Sequence, residues 1–485
     1  MRRLADAALS AARASGASYA DVRVVRMRRQ NIQTREDHVV QVSESDELGV
    51  GVRTIVGGAW GFAATNQVSV DDAARTAQKS AATAKANSKI IAHPVELAPA
   101  PAYLDTWQTP RQKDPFRVPL KNKVDFLLEV NREALKVKGV RYCSSGFAAI
   151  SEWKYFASTD GSYIEQDIVR LWPSYTVTAI DVGKGEFQSR AHGFPPQQGG
   201  YELVEQSTLL ADAPRVASEA VEKLHAASVS SGKRMLILDP AHLWLTIHES
   251  VGHPTELDRA LGYEANMAGT SFATVDKLGK LRYGNELMTI WADKISPGLL
   301  ATCGYDDDGV KTTRWKLVDR GLFVGYQTTR EQAAWIHEKA SRGCSYADSY
   351  QSFPFQRMPN VSLEWNQKKD LTLDDLVAAT DDGILILGNG SWSIDHQRYN
   401  FQFGGQFFWE VKGGKRTRPL KDVAYQSNTI AFWHSLDLLG GKSGWRAGGS
   451  LGDGKGEPAQ SNSVSHGCPP CRFRDVNILN VGRRP

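Results

Sequence analysis

Residues 4 to 15 place leucine and alanine at helical spacing and stop before Gly16, so the chain should open with an amphipathic helix that ends there. Alternating or β-branched runs follow at Asp21 to Val25, Val39 to Val42, Leu48 to Ile55 and Ala59 to Ala64, with Val56-Gly57-Gly58 supplying a hairpin turn before the last. Gly49-Val50-Gly51 leads into β-branched residues and not into a helix, which excludes a nucleotide-binding loop. Ser69 offers a side-chain cap to an alanine-rich helix over about Val70 to Asn87.

Six prolines crowd residues 94–119, and proline denies the backbone both helical continuity and an amide donor, so this stretch reads as a linker. Beyond it the pattern predicts a helix near Lys121 to Lys136, strands around Tyr142 to Ala149, Tyr155 to Ala157 and Ile168 to Ile180, and a helix near Asp212 to Ala227. Arg234-Met235-Leu236-Ile237-Leu238 suits a buried strand, and Asp239-Pro240 provides a capping carboxylate followed by proline at the first helical position. From about Ile384 to Trp433, short aromatic and β-branched segments between glycines predict meandering antiparallel sheet. The chain therefore reads as α+β: an N-terminal α+β domain (1–93), the Pro-rich linker (94–119), a middle α+β domain (120–230), and a C-terminal domain (231–485) dominated by antiparallel sheet and carrying the helix after Pro240.

Composition narrows the class. At 485 residues, 41 % hydrophobic and 23 % charged, the chain has the make-up of a multidomain globular protein. The net charge of +4 arises from 58 basic and 54 acidic residues without a dense basic block, which argues against nucleic acid as partner and gives no sign of a membrane surface. No run approaches 18 apolar residues and the N-terminus lacks a signal peptide's apolar core, so a cytoplasmic location is expected. Five cysteines in this length make no disulfide framework; only Cys468-Pro469-Pro470-Cys471 is closely paired.

The chemistry concentrates in His248-Glu249-Ser250-Val251-Gly252-His253. It resembles the zinc-protease signature H-E-x-x-H with one residue too many between the histidines. Four apart, two residues differ by about 400° and share a helix face; five apart, they diverge by roughly 140°. Two remedies exist. The helix can end at Gly252, with Pro254 disfavouring the α region at His253 so that His253 swings back, or a single π-type turn can absorb the extra residue; the sequence favours the first. Leu243, Ile247 and Val251 give the helix an apolar stripe, which places the motif on a packed element. Zinc chemistry needs neutral imidazole or anionic ligands, an open position for water, and a carboxylate to take the proton, a part Glu249 is placed to play. Two histidines are too few, so a third ligand must come from elsewhere.

These residues, together with Glu256, Ala268-Gly269-Thr270-Ser271, Ser393-Ile394-Asp395-His396-Gln397-Arg398-Tyr399-Asn400-Phe401 and a glycine-rich tail, resemble the TldD branch of the TldD/PmbA (TldE) metallopeptidases, also called modulators of DNA gyrase. Gly16 to Arg23, Gly49 to Arg53 and Gly58 to Ala63 extend the resemblance over nearly the whole chain. It implies a zinc peptidase acting on unfolded proteins or small peptides, one Zn²⁺ per site, His248 and His253 as ligands, Glu249 as base, and a dimer with itself or with a PmbA/TldE-like paralogue enclosing an internal chamber. The family's third ligand is a cysteine in a Cys-Gly-Lys-x-Gly motif; here Asp453-Gly454-Lys455-Gly456 occupies that place, so Asp453 stands as third ligand or as a turn residue. Cys468 and Cys471 offer a rival, a closed Cys₂His₂ site. His466 and His396 are further candidates, with His396, Gly404 and Gly405 expected to face substrate and C-terminal strands expected to pair with an extended peptide. The competing function is a non-catalytic metal-binding or peptide-binding subunit of such a complex.

Overall fold

The computed structural model describes residues 1–482. Helix α1 (Arg2–Ala14) is followed by β1 (Tyr19–Arg35), β2 (His38–Val56), β3 (Ala59–Thr65) and α2 (Val70–Asn87). Gly57 and Gly58 turn β2 into β3 with φ of 57° and 76°, and Ser69 caps α2 by accepting the Asp72 amide at 3.1 Å. Where the sequence suggests several short strands, β1 and β2 each run 17 residues or more. The polar stretches Arg26 to Arg29 and Glu44 to Glu47 break the apolar pattern, yet they lie opposite one another on an exposed ribbon, where Arg26 pairs with Asp46 at 2.6 Å. Cross-strand charge thus takes over where burial stops.

The next elements are β4 (Leu104–Gln108), α3 (Leu120–Leu135), β5 (Val140–Ser158) and β6 (Tyr163–Asp181). One sheet runs β3-β2-β1-β5-β6-β4. It crosses the proline-rich stretch, because β1 pairs with β5 from Asp21 opposite Ser158 to Arg35 opposite Ser144, and β4 lies parallel to β6. Alanines of α1 and α2 pack on Val22, Val24, Val50 and Val52 at one end. The helices α3 and Leu209–His225 cover Cys143, Tyr175 and Val177 at the other.

The remaining chain builds a second sheet in the order Asp382–Ile394, Gly232–Leu238, Cys471–Asn480, Val423–Asn428, Asn400–Lys412. Asn400–Lys412 also pairs back onto Asp382–Ile394, so these five strands close on themselves. All their pairings are antiparallel except that of Met235–Leu238 with Gly383–Ile386. Strand rims of closed sheets hold side chains in fixed positions, and here the element after Leu238 is helix Pro240–Ile247, laid on the apolar cluster of Leu243, Ile247, Phe403, Tyr425, Phe432 and Trp433. Trp433 is fully buried and its indole donates to Ser250 Oγ at 3.0 Å, which ties this core to the histidine motif. Trp433→Ala should cost about 3–5 kcal/mol through the cavity it leaves, read as a lowered urea midpoint with an unchanged m-value.

Buried ion pairs join the first sheet to the loop that carries Asp307 and Asp308. Arg53 holds Asp21 at 2.7 Å and Asp308 at 2.8 Å, while Lys154 bridges Glu152 and Asp307 at 2.7 and 2.8 Å. Burial opposes ionisation of Glu152, but Lys154 and Arg170 outweigh it and hold its carboxyl down to about 2. Charges so completely paired fix orientation between sheet and loop, and removing one partner would strand the other. Among the described residues, no helix is long and apolar enough to cross a membrane.

Candidate metal centre

Asp239 starts the motif helix as expected, accepting the His242 amide at 2.9 Å with Pro240 at the first position. The backbone then departs from the favoured expectation. It does not end at Gly252. A π turn spans His248–Gly252, closed by the His253 amide donating to His248 O, and a 3₁₀ turn follows at His253–Thr255. Both Gly252 (φ −55°, ψ −65°) and His253 (φ −62°, ψ −43°) stay right-handed helical. An i→i+5 turn brings residues five apart onto one face, and the two imidazole centroids lie 4.6 Å apart. Gly252 has ordinary helical dihedrals, and a Cβ there would sit 2.6 Å from Met358 Sδ, so a side chain at this position would displace the methionine. Pro254 is accommodated because it opens the 3₁₀ turn, where a missing N–H costs nothing.

Ring contacts link the histidines. His466 Nδ1 lies 2.9 Å from Val361 O and 3.3 Å from Val361 N, and its Nε2 lies 2.8 Å from His248 Nδ1; in the tautomer with the His466 proton on Nδ1 toward Val361 O, Nε2 accepts from His248 Nδ1. His253 Nδ1 donates to Glu256 Oε2 at 2.9 Å. Each histidine of the motif therefore keeps Nε2 as a lone-pair donor, the arrangement by which partners outside a metal site orient its imidazoles. Those two nitrogens lie 3.5 and 3.8 Å from Asp453 Oδ1, and the ligand atoms of His248, His253 and Asp453 all fall within 4.8 Å of one another. Asp453 is no turn residue. It lies in strand Arg446–Lys455 opposite Asn462, 8 % exposed, with Oδ2 held by Arg357 at 3.1 Å; the chain turns after Lys455.

Two imidazole nitrogens and one carboxylate oxygen form an accepted catalytic donor set for a divalent ion. Burial, then the nearby Arg398 charge, pushes His253 down to about 4, so at neutral pH it is in the neutral form that coordinates. Burial disfavours the Asp453 carboxylate, but His248, His253 and Arg357 outweigh it and hold it well below the usual range. The same carboxylate lifts His248 above its ordinary value in spite of burial. The Asp453 carboxylate is thus ionised beside the two Nε2 atoms, with Arg357 on its other oxygen.

Glu249 reaches the same cleft, a cavity of about 1180 Å³ that His248, His253, Asp453 and Arg398 also line. Its Oε2 is hydrogen bonded by Arg398 Nη1. Arg398 comes from the connection between strands Asp382–Ile394 and Asn400–Lys412, in a left-handed conformation (φ 62°) held by Thr429 Oγ1 on its carbonyl at 2.8 Å. The sequence alone assigns no role to Arg398 or Glu256. Arg398 lies 149 residues from its partner, and no spacing rule links them. For Glu256 the three-residue step from His253 was the available signal.

Other expectations fail. His396 is exposed and outside the cleft lining, with its carbonyl accepting the Thr270 amide. Gly404 and Gly405 do not line it either: a Cβ on Gly404 would meet Ser391 Oγ at 2.8 Å and one on Gly405 would meet Ile386 Cγ2 at 2.1 Å, so these glycines serve close packing within the sheet. Cys468 and Cys471 are buried free thiols, pushed up by burial, and neither belongs to the ligand cluster, which removes the Cys₂His₂ alternative. His466 does reach the site, as the partner of His248.

Comparison with known proteins matches residues 231–480 to the PmbA/TldA metallopeptidase C-terminal domain, 20–84 to domain 1 and 113–227 to the central domain of the same family. The chain belongs to the PmbA/TldD metallopeptidase family. Among its relatives, a metalloprotease of Methanocaldococcus jannaschii is 24 % identical over 422 residues, covering 87 % of this chain and 89 % of its own. A zinc metalloprotease TldD homolog of Saccharolobus solfataricus is 22 % identical over 477 residues, covering 96 % and 97 %. In fold, the chain is similar to TldE from Thermococcus kodakarensis (TM-score 0.69, 17 % identity, 97 % and 98 % covered). It is also similar to a Thermotoga maritima structure named for modulation of DNA gyrase (TM-score 0.77, 15 % identity, 98 % and 99 % covered). The α+β architecture with a strand-rich C-terminal part is the PmbA/TldD fold.

Proposed function

We propose that this chain is a zinc-dependent peptidase of the TldD type, with His248, His253 and Asp453 holding one Zn²⁺ and Glu249 as the general base. The convergence of the two Nε2 atoms and Asp453 Oδ1, with Glu249 in the same cleft, carries this reading. A divalent ion in that donor set supplies the Lewis acidity that brings water's deprotonation toward neutral pH. Glu249 then takes the proton from the attacking water on a carboxylate oxygen and returns it to the leaving amine nitrogen. Arg398 orients that carboxylate, and His466 and Glu256 keep the imidazole Nε2 atoms directed inward. The substrate is a small peptide or an unfolded segment. Strand Arg446–Lys455 pairs only with Gln460–Cys468 among the described residues, and its residues Arg446 to Ser450 line the cleft, so a free strand edge is available to an extended backbone. Similarity to TldE supports a dimer with a PmbA/TldE-like paralogue or with a second copy, and we propose a cytoplasmic location for it.

The test is hydrolysis of a dye-labelled unfolded protein by the purified full chain. Activity should vanish on chelation and return with one equivalent of Zn²⁺. Protein that binds zinc and remains inert, alone and with a paralogue, would make the chain a non-catalytic subunit and overturn this proposal.

A further inference from the structure

A second large cavity, about 870 Å³, opens on the other side of the hairpin that carries Asp453. The strand residues Asp453 and Gly454 face the metal cleft, whereas Gly456 to Gln460 of the same hairpin line this cavity. Its size suits a ligand of several residues or a drug-sized molecule. Its walls combine aromatic faces with carboxylates. Tyr263 and Trp335 stack at 5.2 Å with an interplanar angle of 9°, although they are 67 % and 37 % exposed, so two large rings stand open to solvent at this cavity.

The carboxylates are short of cations. Arg53 is already committed to Asp21 and Asp308, and Asp258 to Lys455 at 2.8 Å. Among the described residues, Glu331, Asp348 and Glu457 pair with no lysine, arginine or histidine; Trp60 Nε1 donates to one oxygen of Glu331 at 2.9 Å and Asn266 Nδ2 to one of Glu457 at 3.0 Å, and Arg29 is the one other basic side chain of the lining. Two buried acceptors lack donors altogether. Glu264 is 5 % exposed and its Oε2 has no hydrogen-bond partner, its nearest cation being Arg259 Nη2 at 3.6 Å; Gln460, 7 % exposed, donates to Phe353 O at 2.7 Å but leaves Oε1 unpartnered. A buried acceptor without a donor is costly, and both belong to residues lining this one cavity. The missing complement is a donor-rich cation with an apolar stem.

We propose that this cavity is a second binding site, which takes the arginine or lysine side chain of a short peptide, its head among Glu264, Glu331 and Glu457 and its stem on the Trp335–Tyr263 stack. Aromatic faces attract such cations, and carboxylates in a partly desolvated wall give charge-assisted hydrogen bonds. The site requires neither the metal nor hydrolysis, so its test stands apart from the peptidase reading.

The experiment is calorimetric titration of the full chain with N-acetyl-arginine methylamide, with the isosteric citrulline compound and with agmatine. The arginine compound should bind at least about ten-fold more tightly than the citrulline one, the difference expected for one charge-assisted interaction. Glu264→Gln and Trp335→Ala should each weaken it several-fold, and Glu457→Gln, on the exposed turn, supplies a variant that leaves the core untouched. Equal binding of arginine and citrulline, or affinity unchanged in all three variants, overturns the site. Tighter binding of agmatine than of the capped arginine overturns the peptide assignment.

Discussion

Glu249→Gln is expected to leave metal near one equivalent while kcat/KM for peptide hydrolysis falls about 10²- to 10⁴-fold, the range a general base supplies. The substitution keeps the shape of the side chain and its packing in the π turn, where Glu249 is 5 % exposed, and removes its negative charge, and with it the capacity to accept a proton and the ion pair with Arg398. The proposed ligands are His248, His253 and Asp453 and not Glu249, so metal content should not follow activity. KM should change little, since the carboxylate is engaged by Arg398 and the base acts in the chemical step. Joint measurement of bound zinc and of kcat/KM checks this. Retained turnover would move the base elsewhere in the cleft; loss of metal together with activity would mean that the turn itself had been disturbed.

The local rules of the sequence reached much of the fold and the core of the site. The Ser69 and Asp239 caps, the Gly57-Gly58 turn, and the helices near 70–87 and 121–136 follow from contacts within a few residues, and the structure has them where capping and periodicity put them. What local rules cannot weigh is a partner far along the chain. The exposed first half of β2 and the polar residues of β1 that face it look like loop until Arg26 meets Asp46. Gly252 looked like a helix terminator because glycine commonly is one, yet Met358 packs where its Cβ would be, and that contact is invisible from the motif. The backbone stays helical through Gly252, and the extra residue is absorbed by widening the turn. The same distance in sequence hid Arg398 from Glu249. Conversely, His396 and the Gly404-Gly405 pair were drawn toward the substrate by their neighbourhood in a motif, whereas the motif's reaching group is Arg398 and the glycines serve close packing of the sheet.

Asp453 carries the second large expectation, because it is the position where this chain departs from the thiolate pattern it resembles. Asp453→Ala should reduce bound zinc from about one equivalent to near none at micromolar protein, and hydrolysis with it, since two imidazoles alone make an incomplete ligand set. Alanine also takes from Arg357, a guanidinium 2 % exposed, its carboxylate partner, leaving it the carbonyls of Asp453 and Gln460 and the Asn462 side chain, so some loss of stability accompanies the loss of metal. Asp453→Cys separates the two effects. It removes the same ion pair with Arg357 but restores an anionic ligand, and sulfur reaches zinc at about 2.3 Å against about 2.0–2.2 Å for a carboxylate oxygen, a difference the strand position can absorb. The cysteine variant should therefore keep metal near one equivalent while sharing the alanine variant's lowered melting temperature. Because the harder oxygen donor discriminates less strongly for zinc over other divalent ions, wild type should exchange zinc for Mn²⁺ or Co²⁺ more readily than the cysteine variant does. Inductively coupled plasma analysis of the three proteins after dialysis against mixed metals reads all of these together, and an alanine variant that retains its metal would return Asp453 to a structural partner of Arg357.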